Sequence, residues 1–476
     1  MNTRIASPVR QLLACGLMAC AAIATAQSNP TVVNGQATFA RNGSVYSITN
    51  TPGTILQWPG FSIAAGDTTR FIQQSANSAV LNRITGQDPS LILGTLQSNG
   101  RVFLVNPNGV LFGAGARVDV NGLVASSLGI SNADFLAGKL NFNAGAGAGS
   151  VANQGRISTP NGGRVLLIAP NVENSGLIQA PGGEVVLAAG RSVQLADSSN
   201  PELQVVVSAP QDQAVNLGQV LAQSGRVGIY GALVNQRGLV SADSATVGEG
   251  GKIVFKASGD LLLETGSQTS ATGAGKGGAI SLAGERVGLT GNAQVDASGQ
   301  TGGGTVLAGN TAASQLFISK DSSIRADAIA SGDGGKVLAL SSGVTRVYGK
   351  LSARGGAASG NGGFIETSGQ SLTMEGHADT RAPHGKTGKL LLDPTNIYIA
   401  ADSATAEAAG MEAGSPGAEG ASTFTANGPV RDSLMRVSTL ETFLGFNDVT
   451  VSTANADGTG EGNINVVSPV NIPMLR

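Results

Sequence analysis

Residues 153–167 read NQGRISTPNGGRVLL, and residues 174–187 read NSGLIQAPGGEVVL. Both follow one frame: an asparagine, a glycine, a short apolar word, a glycine pair, then a longer apolar run. The frame returns at Asn235 to Val240 with Gly250-Gly251-Lys252-Ile253-Val254-Phe255. It returns again at Gly303-Gly304, Gly334-Gly335 and Gly362-Gly363, each followed by a β-branched or apolar run. From Gly162 to Gly182, Gly303 to Gly334 and Gly334 to Gly362, the intervals are 20, 31 and 28 residues. The wider gap between Gly182 and Gly250 leaves room for a degenerate copy around 218–229.

A period of this length, with two short strands per unit and glycine-rich corners, indicates a solenoid. The strand words carry no helical periodicity, so the expected class is all-β: a right-handed parallel β-helix with small extra-helical β-hairpins near the N-terminus. Residues 27–400 supply about 14–18 rungs, a rod of roughly 70–85 Å at about 4.8 Å per rung. Glycine pairs suit corners where successive backbones approach closely. Inward Val, Leu, Ile and Ala stack into one core, and Asn153, Asn174 and Asn235 are placed to form a stacked amide ladder.

Composition agrees with a rod better than with a compact enzyme. Glycine numbers 70 residues and charged residues are only 13%, against about 25% in average globular chains. Hydrophobic residues still make up 41%, too many for a disordered polar tract. The net charge of −2, without a basic run in sequence, argues against nucleic acid as a partner. Arg4 and Arg10 precede the apolar stretch 12–23, and Ala24-Thr25-Ala26 is an A-x-A site, so residues 1–26 read as a signal peptide cleaved between Ala26 and Gln27. Leu17-Met18-Ala19-Cys20 offers a second reading, a lipoprotein site at Cys20. Both cysteines, Cys15 and Cys20, fall in this leader, so the exported chain folds without disulfides.

The remainder divides into three. Residues 27–150 are the least repetitive and contain the single tryptophan, Trp58; 151–400 are the glycine-rich rungs; 401–476 are irregular, with strand text resuming at Val449, Asn465 and Val467. Between Ala404 and Gly420 the text fits a loop or a short helix. The chain stops at Arg476 just after strand-like residues, which fits a truncated product as well as a complete one.

One turn in the first region stands out. Val102–Val105 and Val110–Phe112 flank Asn106-Pro107-Asn108-Gly109. Proline sets φ for the second position of a tight turn, and Asn and Gly accept left-handed geometry. Around it, the text Ile55-Leu56-Gln57-Trp58-Pro59-Gly60-Phe61, Val80-Leu81-Asn82-Arg83-Ile84-Thr85-Gly86, Pro89-Ser90-Leu91-Ile92-Leu93-Gly94-Thr95-Leu96 and Val102–Gly113, continuing to Asp134-Phe135, resembles the secretion domain of the filamentous-haemagglutinin family. These are the passengers of bacterial two-partner secretion. Gly388 to Ile397, GKLLLDPTNI, is also similar to phrasing in such passengers. Of the family's two hallmark motifs, Asn106–Val110 matches NPNGI with valine for isoleucine, and no NPNL occurs in the sequence.

The resemblance implies a secreted adhesin-type exoprotein on the bacterial surface or beyond it. It would be exported through a cognate outer-membrane barrel transporter whose periplasmic modules engage the N-terminal domain while still extended. It also implies strand addition as the mode of contact, and folding outside, rung upon rung. Two readings of Asn106, Pro107, Asn108 and Gly109 remain side by side: a structural turn, and a mark read by the transporter. Host-cell or matrix glycans and proteins are the implied outer partners.

β-Helices also house polysaccharide-degrading enzymes, the rival reading; an inert truncated scaffold is the third. Glycoside hydrolysis needs two carboxylates across a cleft, whereas Asp327, Asp333 and Glu366 are scattered in sequence. His377 and His384 are the only histidines, a poor supply for a metal cluster or a Ser–His–Asp triad. Gly385-Lys386-Thr387 lacks the earlier glycine of a P-loop, since Thr380 stands there. Residues 145–149, GAGAG, lack the strand and helix of a dinucleotide site. No catalytic residue, cofactor or metal is expected.

Overall fold

The computed structural model describes residues 29–145, 147–195, 212–244, 248–412, 432–453 and 462–471. The leader, its cleavage point at Ala26 and Gln27, and the alternative at Cys20 lie outside these residues.

Each turn of the chain contributes three strands. In one rung, Leu177–Gln179 forms a short third face, Glu184–Ala189 a long first face, and Gln213–Asn216 a second face, before Gln219–Leu221 starts the next rung. Strands on each face stack in parallel, Leu177 on Arg156 and Gln219 on Leu177, Glu184 on Arg164 and Arg226 on Glu184. The first face runs from Thr54–Trp58 to Asp448–Val451 as fourteen stacked parallel strands. Thirteen steps of about 4.8 Å make a rod of about 60 Å. It is shorter than the sequence suggests because insertions lengthen some turns, such as the one from Glu184 to Arg226. The degenerate copy is a full rung, Gln219–Leu221 and Arg226–Gly231.

Alternation along a strand decides what is inside. In Lys336–Leu340, Val337 and Ala339 are buried and their neighbours are not. Stacked over the rungs, such residues form one continuous core from Tyr46 to Phe443. At about 1.5–3 kcal/mol per fully buried large side chain, before entropy, it is the main force holding the rod.

The strand Arg164–Ala169 breaks the alternation, because every residue after Arg164 is buried. Its outward Leu166 and Ile168 are covered by a second layer. Gly129–Ile130, Leu140–Asn143 and Ser192–Leu195 form a small antiparallel sheet, joined by the helix Asn132–Leu136. Phe135, Phe142 and Val193 from this layer pack on Phe103, Leu166, Ile168 and Val186 of the first face. Phe103 and Phe135 meet edge to face at 5.1 Å. Arg83 ties the layer down, donating to the Asn132 side chain and to the Ile130 carbonyl, each at 2.7 Å.

The N-terminal end is closed by antiparallel strands. Ala37–Asn42 pairs with Val45–Asn50, and Thr31–Asn34 pairs with Thr54–Trp58. They cover edges that would otherwise invite another chain. Beneath them Trp58 is fully buried, 5.1 Å from Phe61, and donates from Nε1 to Asn82 Oδ1 at 3.0 Å.

At the other end the chain doubles back. Asp432–Arg436 pairs with Asn396–Ala400, while Ser433 Oγ accepts from Leu372 N at 2.8 Å, so this strand sits between the last second-face strand Ser371–Met374 and the one preceding it in sequence. The text after Ala401 yields the helix Ser403–Ala408; residues 413–420 lie outside the described residues.

The amide ladder exists with different members. Asn153 Nδ2 donates to Asn174 Oδ1, Asn174 Nδ2 to Asn216 Oδ1, and Asn216 Nδ2 to Gln236 Oε1, each at 2.8 Å. All four residues are fully buried. Asn235 is not a member: the register sets Asn216 against Gln236, and Asn235 falls one residue out of phase, on the outward side. Phe112 and Leu263 continue the row at its two ends, so the ladder is a polar inset in an apolar column.

Candidate functional site

The Asn106–Gly109 turn closes one rung and is wedged between two others. Gly109 N donates to Asn106 O at 2.9 Å, the closing bond of a β-turn. Asn106 is fully buried. Its Nδ2 donates to Asp88 O and to Ser90 Oγ, both at 3.0 Å, and its Oδ1 accepts from Asn108 N at 3.0 Å. Asn108 Nδ2 donates to Gly86 O at 2.8 Å. The preceding turn, around residues 86–90, is therefore strapped to this one by two side-chain amides.

The following rung leans on the other side. Gly149 N donates to Pro107 O at 2.7 Å, and Val110 N to Ser150 O at 3.0 Å. Gly109 has φ of +107°, and a Cβ on it would lie 2.7 Å from Ser150 O. A Cβ on Gly149 would lie 2.4 Å from Asn108 O. Thus Gly149 packs its backbone directly against the turn. Of the four turn residues only Pro107 is exposed; Asn108 is half-buried.

Two of the three scattered acids serve corners. Asp327 accepts from Ser352 Oγ at 2.9 Å and from Arg354 N at 2.7 Å, across one rung step. Burial pushes its carboxyl above the usual range, with these two bonds pulling the other way. Asp333 accepts from Asn361 N at 2.7 Å. Glu366 stands on the outward side of the first face between Leu338 and Leu391, and burial, then Asp393, raises its pKa. His377 packs edge to face on Phe446 at 4.9 Å, and His384 is exposed. Gly385-Lys386-Thr387 is a rung corner, because a Cβ on Gly385 would lie 2.0 Å from Gly360 O. Among the described residues, no three of His, Cys, Asp and Glu stand where they could share a metal ion.

Sequence reasoning missed Asn82, Ser90 and Arg83. Asn82 is fully buried, accepting from Trp58 and donating to Phe103 O at 3.1 Å. Its signal was available: on the strand Ala79–Ile84, Val80, Asn82 and Ile84 share the inward parity. The partners of Asn106 lie 16 to 18 residues away and follow only from the rung register.

These features together define a class: a disulfide-free stack of parallel rungs, closed at its N-terminal end and tiled by a small antiparallel layer. The TPS secretion domain family matches residues 21–276, more than half of the chain, and the chain belongs to it. The crystal structure of the HMW1 secretion domain from Haemophilus influenzae superposes with a TM-score of 0.67 at 30% identity, covering 77% of this chain and all of that one. Two relatives, each named heme/hemopexin-binding protein and each from Haemophilus influenzae, are 36% identical over 180 residues and 38% identical over 72 residues. Those alignments cover 35% and 15% of this chain but only 20% and 8% of the relatives. The chain therefore spans a fifth or less of their length. It is an exported exoprotein of the two-partner secretion type, delivered through the periplasm to the cell surface or beyond.

Proposed function

We propose that a cognate outer-membrane barrel transporter engages residues 27–150 through its periplasmic modules while they are extended, and that the rod then folds outside and presents an adhesin-type surface to host cells or matrix. Residues 151–400 are the body of that surface, and 401–476 its irregular end. Strand addition supplies the contact: an extended chain offers backbone N–H and C=O groups to a sheet edge and alternate side chains to pockets. The observation that carries this reading is the burial of Asn106. Once the rung closes, its amide is fully engaged inside the rod, so any reading of that amide by the transporter takes place before folding.

The test is secretion with the cognate transporter. Deletion of 27–150 is expected to abolish it, and secretion at the normal level would end the proposal. Asn106→Ala removes two donated bonds and two accepted from Asn108 in a buried place, at about 2–4 kcal/mol. Pro107→Ala touches no buried bond and is expected to change stability by less than about 1 kcal/mol. If the proline variant secretes poorly while its urea midpoint is unchanged, the turn is read directly. If only the asparagine variant fails, the turn acts by closing the rung.

A further inference from the structure

Between the small antiparallel layer and the first face lies a partly enclosed cavity of about 80 Å³. Phe103, Val124 and Leu166 of the first face make its floor, and Phe135 and Leu140 of the layer make its roof. Gly122 opens it. Ala79, Arg101, Gly122 and Arg164 stack on successive rungs, and Gly122 puts no side chain between the two arginines. A Cβ there would lie 3.1 Å from Arg101 Cγ. At about 10–15 Å³ per water-sized group, the cavity has room for about five to eight such groups.

The charge around it is one-sided. Among the described residues that line the cavity are three cations, Arg101, Lys139 and Arg164, and no acid. Arg164 is answered from outside the lining by Glu184, 2.5 Å away. Arg101 and Lys139 reach solvent, and neither is paired with a carboxylate among the described residues; Arg101 donates only to the Asn77 carbonyl, at 2.7 Å. Burial, then Arg164, lower the pKa of Arg101, so its charged form lacks an anion to steady it. An apolar interior with unanswered cations at its mouth complements a molecule with an apolar body and one anionic end.

We propose that this cavity binds a medium-chain fatty acid, with its tail against Phe103, Phe135 and Leu166 and its carboxylate at the mouth beside Arg101 and Lys139. The room sets the length, a tail of about five to eight carbons. The cations set the head group, because a charge-assisted bond from a guanidinium favours a carboxylate over an alcohol and repels an amine. The antiparallel layer thereby gains a role besides covering Leu166 and Ile168. The inference goes beyond export and does not depend on how the transporter reads the chain.

The test is isothermal titration of the folded full chain with butanoate, hexanoate, octanoate and dodecanoate, and with octan-1-ol and octylammonium as head-group probes. Saturable binding of octanoate at one site per chain is expected. Affinity is expected to rise about fourfold per added methylene up to octanoate and to level off by dodecanoate, once the room is filled. Octan-1-ol and octylammonium are expected to bind at least about tenfold more weakly than octanoate. Arg101→Met keeps much of the stem and is expected to weaken octanoate at least about tenfold, while Arg101→Lys restores most of the affinity. Lys139→Gln, at an exposed position, is expected to weaken it about threefold. Lys350→Gln, on the third face, is expected to bind as the parent does, and circular dichroism checks that each variant is folded. Octylammonium binding as tightly as octanoate, an affinity still rising at dodecanoate, no heat with octanoate, or parental binding by both Arg101→Met and Lys139→Gln overturns the proposal.

Discussion

Gly278→Val is expected to stop the rod from closing at its rung, at a cost above about 4 kcal/mol. A Cβ at this position would lie 2.1 Å from Gly251 O, a backbone atom held in place by its own rung. Relief requires the two rungs to part, which breaks the parallel pairing of Lys252–Ala257 with Ala279–Ala283 and exposes Ile280 and Leu282. Rungs contact only their neighbours, so the damage is local in space and propagates one way along the stack. Limited proteolysis is expected to trim the chain back towards residue 257 while the earlier rungs stay protected. Gly266 is the control. It has φ of +82° but nothing within 4 Å of its Cβ position. Gly266→Asn, with a residue that tolerates left-handed geometry, is expected to cost less than about 1 kcal/mol. A parental urea midpoint for Gly278→Val would remove the stacked-corner account of the glycine pairs.

The same physics explains what could be read from the sequence. Glycine pairs are legible because a close backbone approach admits one residue type, and it recurs at every rung. Gly277-Gly278 belongs to the series although its neighbours, Ala279 and Ile280, make a weaker word than Val165-Leu166-Leu167. Parity is legible within one strand and fails between strands. Asn235-Gln236 offers two amides in succession, and only the pairing of Asn216 with Gln236 settles which one points inward. Extra-helical β-hairpins were expected near the N-terminus, but which residues the antiparallel layer covers was hidden for a related reason. Leu166, in the apolar run after Gly163, reads as core, and it is buried together with Ile168, but on the outward side, by Phe135, Phe142 and Val193. Hydropathy reports that a residue is covered and says nothing of which layer covers it. The insertion of Asp432–Arg436 beside Ser371–Met374 has no local signal at all, since the contact spans 61 residues. The turn at Asn106–Gly109 was legible as a turn, whereas its strapping to Asp88 and Ser90 needed the rung register.

The ladder offers the sharpest test of that register. Asn174 is its second member, donating to Asn216 Oδ1 and accepting from Asn153 Nδ2, both at 2.8 Å. Asn174→Leu fits the surrounding apolar column but strips Asn153 of its acceptor and Asn216 of its donor, so a loss of about 2–4 kcal/mol is expected. Asn174→Asp keeps the shape and changes the charge. An ionised carboxylate would accept from Asn153, yet it would confront the Asn216 oxygen at a fully buried position. The protonated acid can donate there as the amide did. Burial and this bond both favour the neutral form, so the folded pKa of the new acid lies above the unfolded value of about 3.9. The contribution is then fully present below that unfolded value and is lost as pH rises through the folded pKa. Relative to the parent, the aspartate variant is therefore expected to be close to normal near pH 4 and clearly destabilised at pH 8. Paired urea midpoints at the two pH values measure it. A deficit that does not change with pH would mean that Asn174 does not donate a hydrogen bond to Asn216, and the ladder would have to be redrawn.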